Sequence, residues 1–164
     1  EISACLVGSE MCIRDRYTDQ ITAIQFLRFM GVIANGGEAA EPYLMQKISR
    51  AGQTVYEAET KTTGRLLSEE TAEALGKMMR GAVVNQYGAW QFGSLTVCAK
   101  SGTAERENGP ADAMFAGFVE DEAYPLAFVV FAERGGSGSQ TAAPIAAKVL
   151  AACKTMLDTP NPNG

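Results

Sequence analysis

Four consecutive residues carry the chemistry that this sequence offers: Lys100-Ser101-Gly102-Thr103, at the end of the apolar run Leu95-Thr96-Val97-Cys98-Ala99. A cation, two short hydroxyls and a residue without a side chain lie in succession on one extended segment. Such an edge suits an anionic, carbonyl-bearing ligand, and glycine within a strand pattern marks a place where another backbone can come close. Taken alone, the same four residues also describe a strand running into a turn with one exposed lysine. Composition narrows the alternatives. The chain of 164 residues contains no histidine, which excludes Ser-His-Asp and Cys-His catalysis and His-based zinc sites. Its four cysteines, at positions 5, 12, 98 and 153, show no C-x-x-C spacing, so they form neither a zinc knuckle nor a recognisable disulfide framework. No cofactor is implied. With 14 basic against 19 acidic residues, nucleic acid and anionic membrane surfaces are poor partners.

The elements that must position the tetrad can be read from periodicity. Residues 21–35 place Ile24, Phe26, Leu27, Met30, Ile33 and Ala34 on a broad helical stripe, with Thr22 as N-cap and Asn35-Gly36-Gly37 as the stop. Residues 42–49 and 53–58 read as a hairpin around Arg50-Ala51-Gly52. Ser68 caps a second helix through Ala72, Leu75, Met79, Ala82 and Val83, with Glu69 and Glu70 at the positive end of its dipole. Residues 85–94 read as a loop in which Tyr87, Trp90 and Phe92 either line a groove or pack beneath it. Residues 95–103, 113–120 and 126–133 are three apolar runs joined by short turns, hence antiparallel neighbours. The Gly/Ser stretch 134–140 lacks the Gly-Lys-Ser/Thr ending of a phosphate-binding loop and reads as a flexible connection. A closing helix over 141–157 carries Ile145, Val149, Ala152 and Met156 as its apolar stripe and Pro144 in its first turn. Cys98 and Cys153 read as small buried hydrophobes, and Glu105 with Arg106 as a solvated ion pair. The expectation is an α+β domain: an antiparallel sheet of about three strands plus a hairpin, covered by the C-terminal helix. Residues 158–164 are expected to be a disordered tail.

At this point the residues resemble a family. Val97-Cys98-Ala99-Lys100-Ser101-Gly102-Thr103-Ala104-Glu105 is similar to the Lys-Ser/Thr-Gly-Thr box of penicillin-binding protein transpeptidase domains, relatives of the serine β-lactamases. Upstream, Ile21-Thr22-Ala23-Ile24-Gln25-Phe26-Leu27-Arg28, then Ala34-Asn35-Gly36-Gly37 and Pro42-Tyr43-Leu44, resemble that family's Thr-Pro-Leu-Gln helix and Ala-Asn-Gly-Gly segment. Downstream, Ala113 to Phe118 and Leu126 to Val130 resemble its next two strands. Cys98 before the box, and Ala23 in place of a proline, are departures. The resemblance implies acyl transfer through a serine nucleophile on peptidoglycan stem peptides ending in D-alanyl-D-alanine, with β-lactams as mimics, in a parent that is a D,D-transpeptidase, with D,D-carboxypeptidase and β-lactamase as the alternatives. It assigns Lys100 to charge stabilisation and proton movement. Ser101, Gly102 and Thr103 become the ligand-binding edge, the hydroxyls of Ser101 and Thr103 holding a carboxylate, and the Thr103 backbone N–H becomes one half of the oxyanion hole. It also implies a parent that is anchored to the bacterial cytoplasmic membrane, acts on its extracytoplasmic face and works within a cell-wall synthesis complex.

Two boxes of that family do not occur. The residues three before Lys47, Lys61, Lys77, Lys100, Lys148 and Lys154 are Leu44, Ala58, Ala74, Val97, Ile145 and Ala151, so no Ser-x-x-Lys exists, and there is no Ser-x-Asn. The nucleophilic serine is therefore absent. Residues 1–16 lack helical or alternating periodicity and a signal-peptide core. Leu6 to Asp15 can be back-translated as CTC GTG GGC TCG GAG ATG TGT ATA AGA GAC, which resembles the adaptor of transposon-based sequencing libraries. The expectation is a non-native segment over 1–16 followed by the C-terminal part of a transpeptidase domain over 17–157, truncated at the junction and inactive alone. The native part would keep an acidic balance, sixteen acids against twelve bases. The competing reading is a non-catalytic penicillin-binding sensor or scaffold.

Overall fold

The computed structural model describes residues 12–15, 19–106 and 108–159, with side chains described from residue 21. The first element among the described residues is a short antiparallel pair, β1 (Cys12–Asp15) on β2 (Asp19–Thr22). β1 falls within the segment read as non-native, most of which lies outside the described residues. Helix α1 (Ala23–Ala34) follows directly. Its start is a reciprocal capping box: the Gln25 N–H donates to Thr22 Oγ1 at 3.2 Å, and the Thr22 N–H donates to Gln25 Oε1 at 3.1 Å.

β3 (Glu38–Ala40) pairs antiparallel with β6 (Thr62–Arg65), and between them projects the hairpin of β4 (Lys47–Arg50) and β5 (Gln53–Glu57). The hairpin is shorter than the sequence suggests and is exposed along both faces. Its turn places Ala51 and Gly52 at φ of 51° and 78°, the left-handed pair that matches the twist of a two-residue hairpin. Helix α2 (Glu69–Ala82) starts at Ser68, whose Oγ accepts the Thr71 N–H at 3.1 Å. The aromatic stretch expected to be a loop is ordered differently: α2 runs on into a π-turn, Val83–Tyr87, and then a 3₁₀ turn, Ala89–Phe92. Val83 and Phe92 are both buried, which pulls this segment onto the core.

The main sheet is an antiparallel meander ordered β7 (Val97–Ala104), β8 (Asp112–Val119), β9 (Ala127–Ala132). Every residue of β8 is buried, so both faces of the sheet must be covered. One face carries Val97, Ala99, Phe115, Val119 and Phe128 and packs against α3 (Ala143–Asp158). Phe115 sits at its centre, with the rings of Tyr87, Phe92 and Phe128 at 5.3, 6.1 and 6.0 Å. The other face carries Cys98, Ala116 and Phe118 and packs against Met30 and Ile33 of α1 and Met79 of α2. The α+β class is as the sequence implies, but the sheet is covered on both sides, not by the C-terminal helix alone.

Two further expectations are corrected. The stripe of α3 that faces the sheet is Ala143, Ala146, Ala147 and Leu150, while Ile145, Val149 and Met156 are exposed. Small side chains let the helix approach a sheet already filled by phenylalanines, so bulk gives way to fit. Asp158 belongs to α3 and not to a tail. Its carboxylate accepts from Lys154 Nζ at 2.6 Å and from the Tyr124 hydroxyl at 2.5 Å, and Lys154 also reaches that hydroxyl at 2.8 Å. These hydrogen bonds hold the Asp158 carboxyl below, and the Lys154 ammonium above, their ordinary pKa ranges, with the Lys154–Asp158 bond the leading cause for each. Residues 160–164 lie outside the described residues.

Candidate functional site

β7 is an edge strand, and the parity of its pairing decides which backbone groups face outward. Lys100 pairs with Ala116, Ser101 with Phe115, Gly102 with Met114 and Thr103 with Ala113. In an antiparallel ladder alternate residues exchange both bonds with the partner strand, and those between them point away. The Ser101 N–H donates to the Tyr87 hydroxyl at 3.1 Å, the Val97 carbonyl accepts from Arg80 at 3.2 Å and the Ser101 carbonyl accepts from Lys100 Nζ at 2.8 Å. The odd-numbered residues therefore own the outer edge. At Val97 and Ser101 that edge is satisfied internally, and Ala99 is fully buried. Thr103 is exposed, and among the described residues its N–H and carbonyl are the edge groups without a hydrogen-bond partner. β1 passes close to this strand.

The side chains divide between the two faces. Lys100 and Gly102 lie on the face toward α1, where a cavity of about 560 Å³ is lined by Phe26, Met30, Met114, Ala116 and the tetrad itself. A Cβ at Gly102 would meet the Met114 methyl at 2.7 Å, so glycine here leaves the floor to that side chain. Ser101 and Thr103 turn to the opposite face. Ser101 Oγ donates to the Tyr87 hydroxyl at 2.9 Å, and Thr103 Oγ1 accepts the Gly138 N–H at 3.3 Å. All four tetrad residues thus lie at one edge; the Lys100 stem leaves from the α1 face, its ammonium bends to the outer edge onto the Ser101 carbonyl, and the two hydroxyls leave from the opposite face.

Three features around the site are decided by the structure: the sequence left Tyr87 open between lining a groove and packing, read the segment of Gly138 as a flexible connection and paired Arg106 with Glu105. Tyr87, placed by the π-turn, seats its ring edge-on against Phe115 and its hydroxyl on Ser101. Burial pushes its pKa up, but the Ser101 hydroxyl and N–H and the nearby Lys100 charge outweigh that and leave it lowered. Of the other two aromatic residues in its segment, Phe92 is core and Trp90 is solvent-exposed. Gly138 opens a π-turn, Gly138–Ala142, against the tetrad: a Cβ there would lie 2.3 Å from the carbonyl oxygens of both Gly102 and Met114. Arg106 does not pair with Glu105. Its Nε donates at 2.7 Å to Asp112, a buried carboxylate that also accepts the Arg134 N–H at 2.7 Å. That pair closes the turn following the tetrad onto the far end of β9.

The site offers a cavity apolar on its α1 and β8 sides and polar along the tetrad, a cation at its rim and an outward backbone donor, which together suit a carbonyl-bearing anion. Among the described residues no serine or threonine hydroxyl is hydrogen-bonded to a lysine ammonium. The nucleophile–base pairing required for acyl transfer is therefore not formed among them. Cys98 is no substitute. It is fully buried, and burial first, then the adjacent Glu120 carboxylate, push its thiol up to about 12.

Comparison with known proteins gives this geometry its context. The model of the penicillin binding protein transpeptidase domain matches residues 12–151. That match overlaps the last five residues of the segment read as non-native. The peptidoglycan D,D-transpeptidase PbpA of Mycolicibacterium smegmatis is 29% identical over 144 residues, covering 80% of this chain and 29% of the relative. The structure superposes on penicillin-binding protein A of Mycobacterium tuberculosis in its ceftriaxone acyl-enzyme complex with a TM-score of 0.73 and 27% identity, covering 82% of this chain and 32% of that one. It superposes on the D,D-transpeptidase domain of a peptidoglycan glycosyltransferase from Eggerthella lenta with a TM-score of 0.70 and 29% identity, covering 85% and 32%. The chain thus spans about a third of the length of these relatives. A match across most of the chain, reached in both sequence and fold, establishes that it belongs to the penicillin binding protein transpeptidase domain family.

Proposed function

We propose that this chain is the C-terminal part of a peptidoglycan D,D-transpeptidase, carrying one wall of a penicillin-binding site and requiring a serine nucleophile from elsewhere in its parent. The open edge at Thr103 beside Lys100 is the observation that carries the reading, and the family membership supports it. A stem peptide ending in D-alanyl-D-alanine, or a β-lactam, lies along this edge with its apolar part in the cavity beneath α1. The scissile carbonyl faces the Thr103 N–H, which stabilises the developing oxyanion together with the N–H of the absent serine. Removing one such donor costs about 2.7–4 kcal/mol in transition-state stabilisation. Lys100 lowers the cost of negative charge and assists proton movement, and the ligand carboxylate rests at the Ser101–Thr103 edge. Without the nucleophile the chain binds but does not turn over. The parent acts on the extracytoplasmic face of the bacterial membrane, anchored through a segment other than those described.

Covalent labelling with a fluorescent penicillin tests this. The 164-residue chain should stay unlabelled, and the same chain extended upstream from the genomic locus, through a Ser-x-x-Lys box, should label and lose the label when that serine is replaced by alanine. Labelling of the short chain would overturn the view of it as inert. Failure of the extended chain to label would favour the sensor or scaffold.

A further inference from the structure

The hydrogen bonds at the edge of β7 assign a partner to the ligand carboxylate that the tetrad does not contain. Tyr87 stands at the end of a π-turn, a local irregularity that re-aims one residue of a helix and recurs at functional sites. Its backbone is held on both sides: Gln91 Nε2 donates to its carbonyl, and Gly88, at φ 83°, packs under the Trp90 indole. Its ring is held against Phe115. The hydroxyl is therefore delivered by rigid structure to the outer edge of β7, on the opposite side of that strand from Phe26 and Met30.

The phenolic oxygen accepts two hydrogen bonds there, from the Ser101 N–H and from Ser101 Oγ. A phenol has one proton and two lone pairs. With both lone pairs engaged, its own O–H is left to donate outward. Ser101 is in the converse position, because its only hydroxyl proton is committed to Tyr87 and its oxygen presents lone pairs, which repel a carboxylate. The geometry points to Tyr87 O–H, with Ser101 Oγ behind it, as the hydroxyl donor that meets the carboxylate of a ligand bound beside Lys100. The inference rests on the penicillin-site reading and refines it: Ser101 becomes a positioning residue and Tyr87 the contact. The nearby Lys100 and the two Ser101 bonds also lower the phenol's pKa, in the direction that strengthens it as a donor.

The test uses the whole 164-residue chain, ¹⁵N-labelled, titrated with benzylpenicillin and with benzylpenicillin methyl ester while the Ser101 and Thr103 amides are followed by NMR. Tyr87→Phe should weaken benzylpenicillin about tenfold and leave the ester unchanged. Ser101→Ala should weaken benzylpenicillin less than threefold, and its amide spectrum provides a second folded background. A larger loss in Ser101→Ala than in Tyr87→Phe would return the contact to Ser101 and overturn the inference, as would equal losses for acid and ester. If the unaltered chain bound neither compound, the penicillin-site reading itself would fall. Binding by the unaltered chain that is insensitive to Tyr87→Phe would sink only the assignment of Tyr87.

Discussion

Replacing Cys98 by alanine should change how stability depends on pH, and the structure gives the size of the change. The thiol is fully buried between β7 and its covering helices, and Sγ lies 3.6 Å from Glu120 Oε2. Burial, reinforced by that carboxylate, raises the pKa from 9.0 to about 12. The unfolded chain releases this proton near pH 9 and the folded chain holds it until about 12. In that interval the unfolded state binds fewer protons, so stability falls as pH rises. The contribution is fully present below pH 9 and is lost progressively on the way to 12. At about 1.4 kcal/mol per pH unit, and allowing for partial ionisation near pH 9, the loss between pH 8.5 and 10.5 is about 2 kcal/mol. Urea denaturation followed by far-UV circular dichroism, in the presence of a reductant, measures it. The alanine variant has lost buried volume and should be about 1 kcal/mol less stable near neutral pH. It should overtake the unaltered chain as the pH approaches 10.5, since every other titrating group is common to both and cancels in the difference. Parallel pH profiles would refute the reasoning, because they would show that the thiol ionises equally easily in both states.

Gly138→Ala would place a Cβ against the Gly102 and Met114 carbonyl oxygens, which the β7–β8 ladder holds in place. A loss of about 1–3 kcal/mol is expected, and an unchanged thermal midpoint would show that the 134–142 segment does not rest on the tetrad. Asp112→Ala removes the acceptor that ties Arg106 and the Arg134 N–H together. Denaturant unfolding should register a loss of about 2 kcal/mol or more, with the Thr103 amide resonance shifted as the turn after β7 loosens. The non-native reading of the N-terminal segment predicts that re-sequencing the locus with different adaptors replaces residues 1–16, and recovery of the same sequence would end it.

Several elements were legible because their signals are local. Thr22 and Ser68 cap helices through side chains that reach only three residues ahead, and Gly52 marks a turn through its freedom at positive φ. The three apolar runs separated by short turns could hardly pair except as an antiparallel meander. Where the reading failed, tertiary packing overrode local pattern. The bulky stripe of α3 looks like its buried face, yet the alanines are inside, because the space above Phe115 was already occupied from the sheet. Arg106 found Asp112, and not its neighbour Glu105, because the turn after β7 folds back beside the first residue of β8.

By itself the sequence determined the box Lys100-Ser101-Gly102-Thr103, the strand that carries it, its family resemblance and the absence of a Ser-x-x-Lys nucleophile. It also determined that Lys100 and Gly102 share one face and Ser101 and Thr103 the other, because that alternation is a property of any extended chain. Only the tertiary structure decided which edge of the strand is open. Among the described residues strand order leaves β7 unpartnered on one side, pairing parity turns Thr103 outward, and Arg80 and Tyr87 close the rest. These choices depend on contacts between residues far apart in the chain, from α1 beneath the cavity to Gly138 behind the box, and such contacts leave no periodic trace in the residues they join.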